Sequence, residues 1–445
     1  MRFLFAALLA SFASAQTTWV VDDTPGPGVA FTSLPAAVAA AASGDTLLVA
    51  PGHYAPFHVS GKALTILGDG NVTTFIDGSP VAGPDYINIT SPPVGTTFRL
   101  SGVTVRRDFS GGTATVPASR LGISGAGVST AGTVVLTDVI SEPTPGGLGV
   151  ATGLGVTNIA VSASRCVFRG GWVGWTLGWG FPGVKVQSGR FVADACLMYG
   201  GSPYVVEGAP PSTRGGDGLG VSSATAHLTG CSLTGGSAGM TGWSVNGGAG
   251  LRVLSSTVQV YGSASNSIRG GNASGFSQAF GGPGIDAVGG AVSVFGAIAV
   301  SGGVGPSGSA PATTGTGQVQ LGLPRRPVLS LTGSAPSGGD LLATQVVTLR
   351  LDAPAVASQL FVLFADLAPG WFVLPGLSAE PFLLTGSAAS LYVGLLDSAG
   401  QFVVTFLPAQ HTPGWINIPL HMQAFAFDPM LGTWLGSNAE VRRIR

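Results

Sequence analysis

The sequence predicts an all-β protein: a right-handed parallel β-helix with a short N-terminal capping helix, followed by a C-terminal β-sandwich-like module. Three observations carry that expectation. Glycine is abundant while charge is scarce, paired glycines recur at a rung-length period, and the strands between them alternate as strands with one buried face do. Of 445 residues 72 are Gly and only 9% are charged, yet the mean hydropathy is +0.45. Apolar surface must then be buried in many short segments joined by tight turns, because long amphipathic helices need far more Lys and Glu. The pairs Gly170-Gly171, Gly200-Gly201, Gly235-Gly236, Gly270-Gly271 and Gly302-Gly303 begin 30, 35, 35 and 32 residues apart. A self-similar period of that size marks a solenoid, in which each unit buries its apolar face only against its neighbours. Val184-Lys185-Val186, Val258-Gln259-Val260 and Val292-Ser293-Val294 supply the alternation.

From the N-terminus, Met1-Arg2, the apolar run Phe3 to Phe12 and Ala13-Ser14-Ala15 have the order of an export leader, so residues 1–15 are expected to be removed. No later run reaches the roughly 18 uninterrupted apolar residues of a membrane span, which leads to the expectation of a secreted, soluble product. Thr32-Ser33, Pro35, the alanines from Ala36 to Ala42 and Gly44 spell one short helix. Thr46 to Tyr54 reads as a strand and turn, and Leu64 to Gly68 as the next strand.

The stretch AAVAAAASGDTLLVAPGHYAPFHVSGKALTILGDG resembles the opening rungs of the pectate-lyase-like β-helix superfamily, in which a capping helix precedes a D-T-[IL]-x-V-x-P-G-x-Y strand. The resemblance is close over some forty residues and continues only as a pattern for about 250 more. It implies a fold and no activity, because those positions shape the cap and the first turn. His53 and Tyr54 are accordingly read as turn residues.

Four residues before each glycine pair stand Cys166, Cys196, Cys231, Asn266 and Ile298; two before stand Phe168, Met198, Leu233, Ile268 and Val300. Equal parity puts both columns on one face, and the second column is wholly apolar, so both are expected to point inward. The cysteines then form a reduced, buried ladder on rungs about 4.8 Å apart, and Asn266 is expected to hydrogen-bond along the stack. A second glycine mark opens the following strand at Gly215-Gly216, Gly247-Gly248 and Gly281-Gly282, read as glycine turns into strands. The last, through Val288, matches one calcium-binding nonapeptide, with Asp286 the weak metal candidate. Calcium rolls need such units in tandem, so the expectation is no cofactor, calcium being the one ion considered. Residues 16–322 are assigned to the β-helix, with SGSAPATTGTGQ a small-residue linker or final loop. Residues 323–445, where strands such as Val346 to Leu351 and Met422 to Phe427 alternate with Pro and Gly, are assigned to the accessory module. Its ending, IPLHMQAFAFDPMLGTWLGSNAEVRRI, resembles a small C-terminal module of exported planctomycete-type proteins.

Charge narrows the function classes. Net charge is −1 and there are two lysines, Lys62 and Lys185, which leaves no basic field for nucleic acid. Acidic residues between positions 100 and 320 are Asp108, Asp138, Glu142, Asp194, Glu207, Asp217 and Asp286, with no adjacent pair. The Asn-Thr-Asp, Asp-Asp and Gly-His-Gly signatures of the polygalacturonase branch are absent from that region, so no family catalytic residue carries over. Glu207, Arg214 and Asp217 share one loop and are the weak catalytic candidates, as acid, cation and base. Loops 172–182, 202–217, 237–249 and 272–283 follow the glycine pairs at one corner. Insertions on one face of a solenoid form its binding face, and these carry Trp172, Trp175, Trp179, Tyr204 and Trp243, whose rings could stack on sugars or fold back as packing. Three classes stay open: a non-catalytic cell-surface or extracellular glycan-binding or structural protein, which is favoured, a polysaccharide lyase or glycoside hydrolase, and an adhesin-like protein-binding scaffold.

Overall fold

The strands form a parallel β-solenoid of about eight turns, with three strands in a typical rung, in a computed structural model. The structure describes residues 16–77, 85–107, 119–143, 151–171, 180–202, 214–237, 246–273 and 279–323. In the C-terminal part it describes 328–333, 340–341, 347–353, 357–366, 369–373, 381–384, 389–406, 419–429 and 433–444. The alternation in the sequence becomes inward columns. Val59, Ile89, Ile123, Val156, Val186, Val221, Val253 and Ala287 stack in register on the first strands. Ile66, Leu100, Leu136, Ala163, Ala193, Leu228, Val260 and Val294 do so on the second. All are buried in one continuous core. Each β-branched or Leu side chain thus packs on its equivalents above and below, so the period of the sequence is the period of the core.

The helix Leu34–Ala40 closes the N-terminal end, burying Leu34, Ala37 and Val38. Ser33 takes the N-cap position and Pro35 lies in the first turn, where its missing N–H costs nothing. The helix stops at Ala40, two residues before the alanine run ends. Lys62 from the next rung explains the firm stop, since its Nζ donates to the carbonyls of Val38, Ala39 and Ala41 at 3.3, 3.0 and 2.8 Å. Gly52–Tyr54 is a strand, paired in parallel with Thr74–Ile76 of the next rung, rather than a turn. Tyr54 is buried there, its hydroxyl donating to Ala50 O at 3.0 Å, and burial pushes its pKa up to about 12.

Cys166, Cys196 and Cys231 are buried, free and stacked, as their offset from the glycine pairs predicts. Each thiol donates to the carbonyl two residues before it, at 3.2–3.3 Å, and burial holds the Cys196 thiol well above its ordinary pKa. Asn266 departs from the expectation. Its Oδ1 accepts from Ser263 N at 3.0 Å and from the Ser263 hydroxyl at 3.3 Å, closing a local turn instead of extending a ladder. The strand before it ends at Gly262 and is followed by a four-residue turn that needs an acceptor of its own.

The two glycine marks form a single structure. Gly171 O accepts from Phe181 N, Phe181 O from Gly201 N, Gly201 O from Gly216 N, and Gly216 O from Gly236 N. The relay runs on through Gly248, Gly271, Gly282 and Gly303 to Ala310, every bond 2.7–2.9 Å. Outgoing and returning segments therefore alternate along one seam, and each loop is pinched shut at its base. Such backbone-on-backbone packing excludes side chains: a Cβ on Gly216 would lie 2.5 Å from the Phe181 carbonyl carbon, and one on Gly248 2.6 Å from that of Gly216.

The seam has a plug. The position preceding the column Leu121, Leu154, Val184, Leu219, Leu251 and Ile285 is glycine in five successive rungs, Gly153, Gly183, Gly218, Gly250 and Gly284, but Arg120 in the rung below. Arg120 is 1% exposed. Its Nη2 donates to Arg169 O, the carbonyl that a Cβ on Gly153 would meet at 3.0 Å, while Nε and Nη1 have no hydrogen-bond partner among the described residues. Burial drives its pKa down to about 9, against the pull of Glu142.

The segment from Gly308 is part of the last rung and not a linker: Thr313–Thr314 pairs with Ile285–Asp286 and Gln318–Leu323 with Ala291–Phe295. Beyond it a three-stranded antiparallel sheet contains Val328–Gly333, Val347–Asp352 and Gln401–Phe406. A five-stranded sheet runs in the order Asp340–Leu341, Thr433–Ile444, Pro419–Asp428, Leu360–Asp366 and Ala389–Leu395. Leu349 and Leu351 of the first meet Phe361, Leu363, Met422 and Ala424 of the second in a hydrophobic cluster separate from the solenoid core.

Candidate functional site

Pinching the loops at the seam fixes where their ends can be. On the returning side the loop roots stack as Gly180, Arg214, Asn246 and Phe280, joined by backbone bonds from Gly180 N to Arg214 O, Gly215 N to Asn246 O and Gly247 N to Phe280 O. The Asn246 side chain adds a bond, its Oδ1 accepting from Phe280 N at 3.0 Å. Phe280 is 53% exposed, a large apolar ring on a backbone locked at the seam.

Just inside these roots the first strand of each rung presents one outward column: Lys185, Gly220, Arg252, Asp286 and Thr314. Arg214 and Asp217 reach into it. Arg214 Nη2 donates to Asp217 Oδ1 at 2.8 Å and stands 4.0 Å from Asp286 Oδ2. Arg252 lies between the carboxylates, 3.9 Å from Asp217 Oδ2 and 3.7 Å from Asp286 Oδ2. Ala249 N donates to Asp217 at 2.9 Å and the Thr314 hydroxyl to Asp286 at 3.1 Å. Four charged side chains from three rungs thus converge at the foot of the loops. Burial raises the Asp217 carboxyl above its ordinary value, opposed by Arg214, the Ala249 N–H and Arg252, with Asp286 adding to the rise. A carboxyl in that position can hold a proton that an exposed aspartate would lose, and two carboxylates around one guanidinium can hold sugar hydroxyls from both sides.

The weak catalytic pair Arg214 and Asp217 and the weak metal candidate Asp286 are therefore brought together. Glu207 and the aromatics Trp172, Trp175, Trp179, Tyr204 and Trp243 lie outside the described residues. Asp286 faces two arginines and a hydroxyl, and among the described residues no group of three or more His, Cys, Asp or Glu comes together as a metal site would require. Arg252 is the residue that sequence reasoning missed. The signal was present: Gly220, Arg252 and Asp286 all stand five residues after the second glycine mark. His53 lies elsewhere, its Nδ1 2.9 Å from Asp77.

No family model matches the chain, and no curated protein matches it. Among solved structures it is similar to the enzymatically active domain of tailspike protein 2 of bacteriophage CBA120, at 11% identity and a TM-score of 0.27 over 89% of this chain and 72% of that one. Tailspike protein 4 of the same phage gives 12% and 0.28 over 90% and 64%. The tailspike of Acinetobacter phage vB_ApiP_P1 gives 10% and 0.22 over 89% and 82%. The parallel β-solenoid rests on the strand register of this chain itself. Among the described residues no helix is long and apolar enough to cross a membrane.

Proposed function

We propose that this is an extracellular or cell-surface protein that binds a polysaccharide along the loop-bearing corner of its β-helix. The observation that carries the reading is the convergence of Arg214, Asp217, Arg252 and Asp286 at the roots of loops rich in tryptophan and tyrosine. Planar charged groups and aromatic faces are the two chemistries that recognise a sugar ring, by its hydroxyl edge and its C–H face respectively. The leader-like order of residues 1–15 supports the compartment. The C-terminal module, similar to those of planctomycete-type exported proteins, is assigned an accessory role.

A second reading, polysaccharide cleavage at the same cluster, is favoured by Asp217, a carboxyl raised by burial with a second carboxylate across one arginine. One experiment addresses both. The mature protein is passed over acidic and neutral polysaccharide matrices, and the eluate is assayed for new reducing or unsaturated ends. Asp217→Asn and Arg214→Gln should each weaken retention about ten- to hundredfold, since a hydrogen bond to a charged group contributes about 1.5–3 kcal/mol. If cleavage is the activity, Asp217→Asn abolishes the products. Retention unchanged in both variants, with no products from the wild type, would remove the cluster from the function.

A further inference from the structure

We propose that the outward face of the third strands is a binding stripe for an anionic polysaccharide, separate from the charged cluster at the loop roots. The third strands of successive rungs, from Thr104–Arg107 to Ser267–Arg269, belong to one parallel sheet. Val105, Ser141, Phe168, Met198, Leu233 and Ile268 are its buried, inward column, so the residues that follow them point outward. That outward column reads Arg106, Glu142, Arg169, Tyr199, Thr234 and Arg269.

Its lower half is a stack of planar groups. Arg106 Cζ lies 4.7 Å from the centre of the Phe75 ring, and Arg106 Nε and Nη2 donate to Glu142 Oε1 at 3.2 and 3.1 Å. Arg169 Cζ lies 4.4 Å from the centre of the Tyr199 ring. The other Glu142 oxygen stands 3.6 Å from Arg169 Nε, beyond a good hydrogen bond. Two guanidiniums thus share one carboxylate, and the Arg169 side chain is 46% exposed. Arg269 is exposed and has no ion pair among the described residues. The other outward column of these strands, with Thr104, Ile140, Val167, Leu197 and Ser232, carries no charge. The loops that follow Arg169 and Arg269, residues 172–182 and 272–283, contain no acidic residue. The excess charge of the stripe is therefore positive. At the loop roots, by contrast, Arg214 and Arg252 are matched by Asp217 and Asp286.

Spacing selects the ligand. Neighbouring strands lie about 4.8 Å apart, which sets Arg106 about 10 Å from Arg169 and Arg169 about 14 Å from Arg269. A small anion would meet one guanidinium only, so a linear ligand is needed to use all three. Nucleic acid carries a charge about every 3.4 Å along each strand, far denser than these cations, and Glu142 in mid-column repels it. A polysaccharide with widely spaced carboxylate or sulfate groups matches. Guanidinium forks take such groups by paired hydrogen bonds, while Tyr199 and the exposed Leu197 meet the C–H faces of the sugars between.

The test is calorimetric binding of dextran sulfate to the full mature chain, with dextran as the uncharged polymer of the same backbone and polyuridylate as the nucleic acid. Dextran sulfate should bind more tightly than dextran at about 0.1 M salt and lose that advantage by about 1 M, where the screening length falls to about 3 Å. Arg169→Gln and Arg269→Gln should each weaken it about three- to fivefold, and together about tenfold or more, with an unchanged melting temperature. Arg350→Gln, the same charge change on the C-terminal module, should leave binding as it was. Equal affinity for dextran, tighter binding of polyuridylate, or full affinity in the double variant would each overturn the proposal. Loss in Arg214→Gln, with none in the double variant, would seat the polyanion at the loop roots, which overturns the stripe and leaves the loop-corner reading standing.

Discussion

Replacing Gly216 by alanine should disrupt the middle rungs, whereas replacing Gly220, four residues later, should leave the protein intact. Both are buried or half-buried glycines of one rung, and propensity alone treats them alike. They differ in what a methyl group would meet. At Gly216 it would fall 2.5 Å from the Phe181 carbonyl carbon, in a seam where that carbonyl already accepts from Gly201 N. Neither backbone can retreat without breaking the relay above and below it. At Gly220 the nearest atom is Val184 O at 4.0 Å. Overpacking a core side chain costs about 1–3 kcal/mol, because side chains and backbone share the shift. The seam has only backbone, so Gly216→Ala should exceed that range while Gly220→Ala stays within about 0.5 kcal/mol. Urea unfolding of the two variants measures the difference, and equal stabilities would mean that the seam carries no constraint.

At Arg120 the volume of the side chain should prove stabilising and its buried charge costly. Its guanidinium is fully buried, with Nε and Nη1 unpaired among the described residues. Arg120→Ala removes the plug beneath Gly153 and should cost about 2–5 kcal/mol as a large-to-small core change. Arg120→Met keeps most of the volume and removes the buried charge, so it should be neutral or stabilising by about 1–4 kcal/mol. The pH dependence carries a definite sign. The folded pKa of about 9 lies well below the ordinary guanidinium value, so between the two the unfolded chain binds the extra proton. Stability then rises with pH through that window, by at most about 1.4 kcal/mol per unit, and the penalty is fully present below the folded value. Unfolding free energies from about pH 8 to pH 10 should climb more steeply in the wild type than in Arg120→Met. Parallel slopes would show that Arg120 is not held as the structure places it.

Much of this fold was legible because a solenoid writes its period into its sequence. Glycine pairs, the cysteine column and the apolar column two residues before each pair all fell at the register the strands adopt. What the pairs are for was not legible. Read along the chain, the second glycine mark looks like a turn opening a strand; only stacking shows that Gly216 lies between Gly201 and Gly236. The charged cluster escaped for a related reason. Asp217 and Arg214 are close in sequence, but Arg252 and Asp286 join them from later rungs, and a search for adjacent acidic pairs does not see residues that meet across a stack. Asn266 was misread because the connection before it is longer: four residues separate Gly262 from Ser267, where two precede Val167, Leu197 and Ser232, and the longer turn takes the Asn266 side chain as its acceptor.

The proposed polysaccharide site is the corner where the loops leave the solenoid. Replacing Trp175, Tyr204 and Trp243 together with alanine tests it most directly, with retention on a glycan matrix and melting temperature measured on the same preparations. A stacked ring contributes on the order of 1 kcal/mol, so three together should weaken binding by a hundredfold or more. Retention should be lost while the melting temperature hardly moves, because the core columns lie elsewhere. A large fall in melting temperature would show instead that the rings pack the solenoid's side, and unchanged retention would place the binding somewhere else.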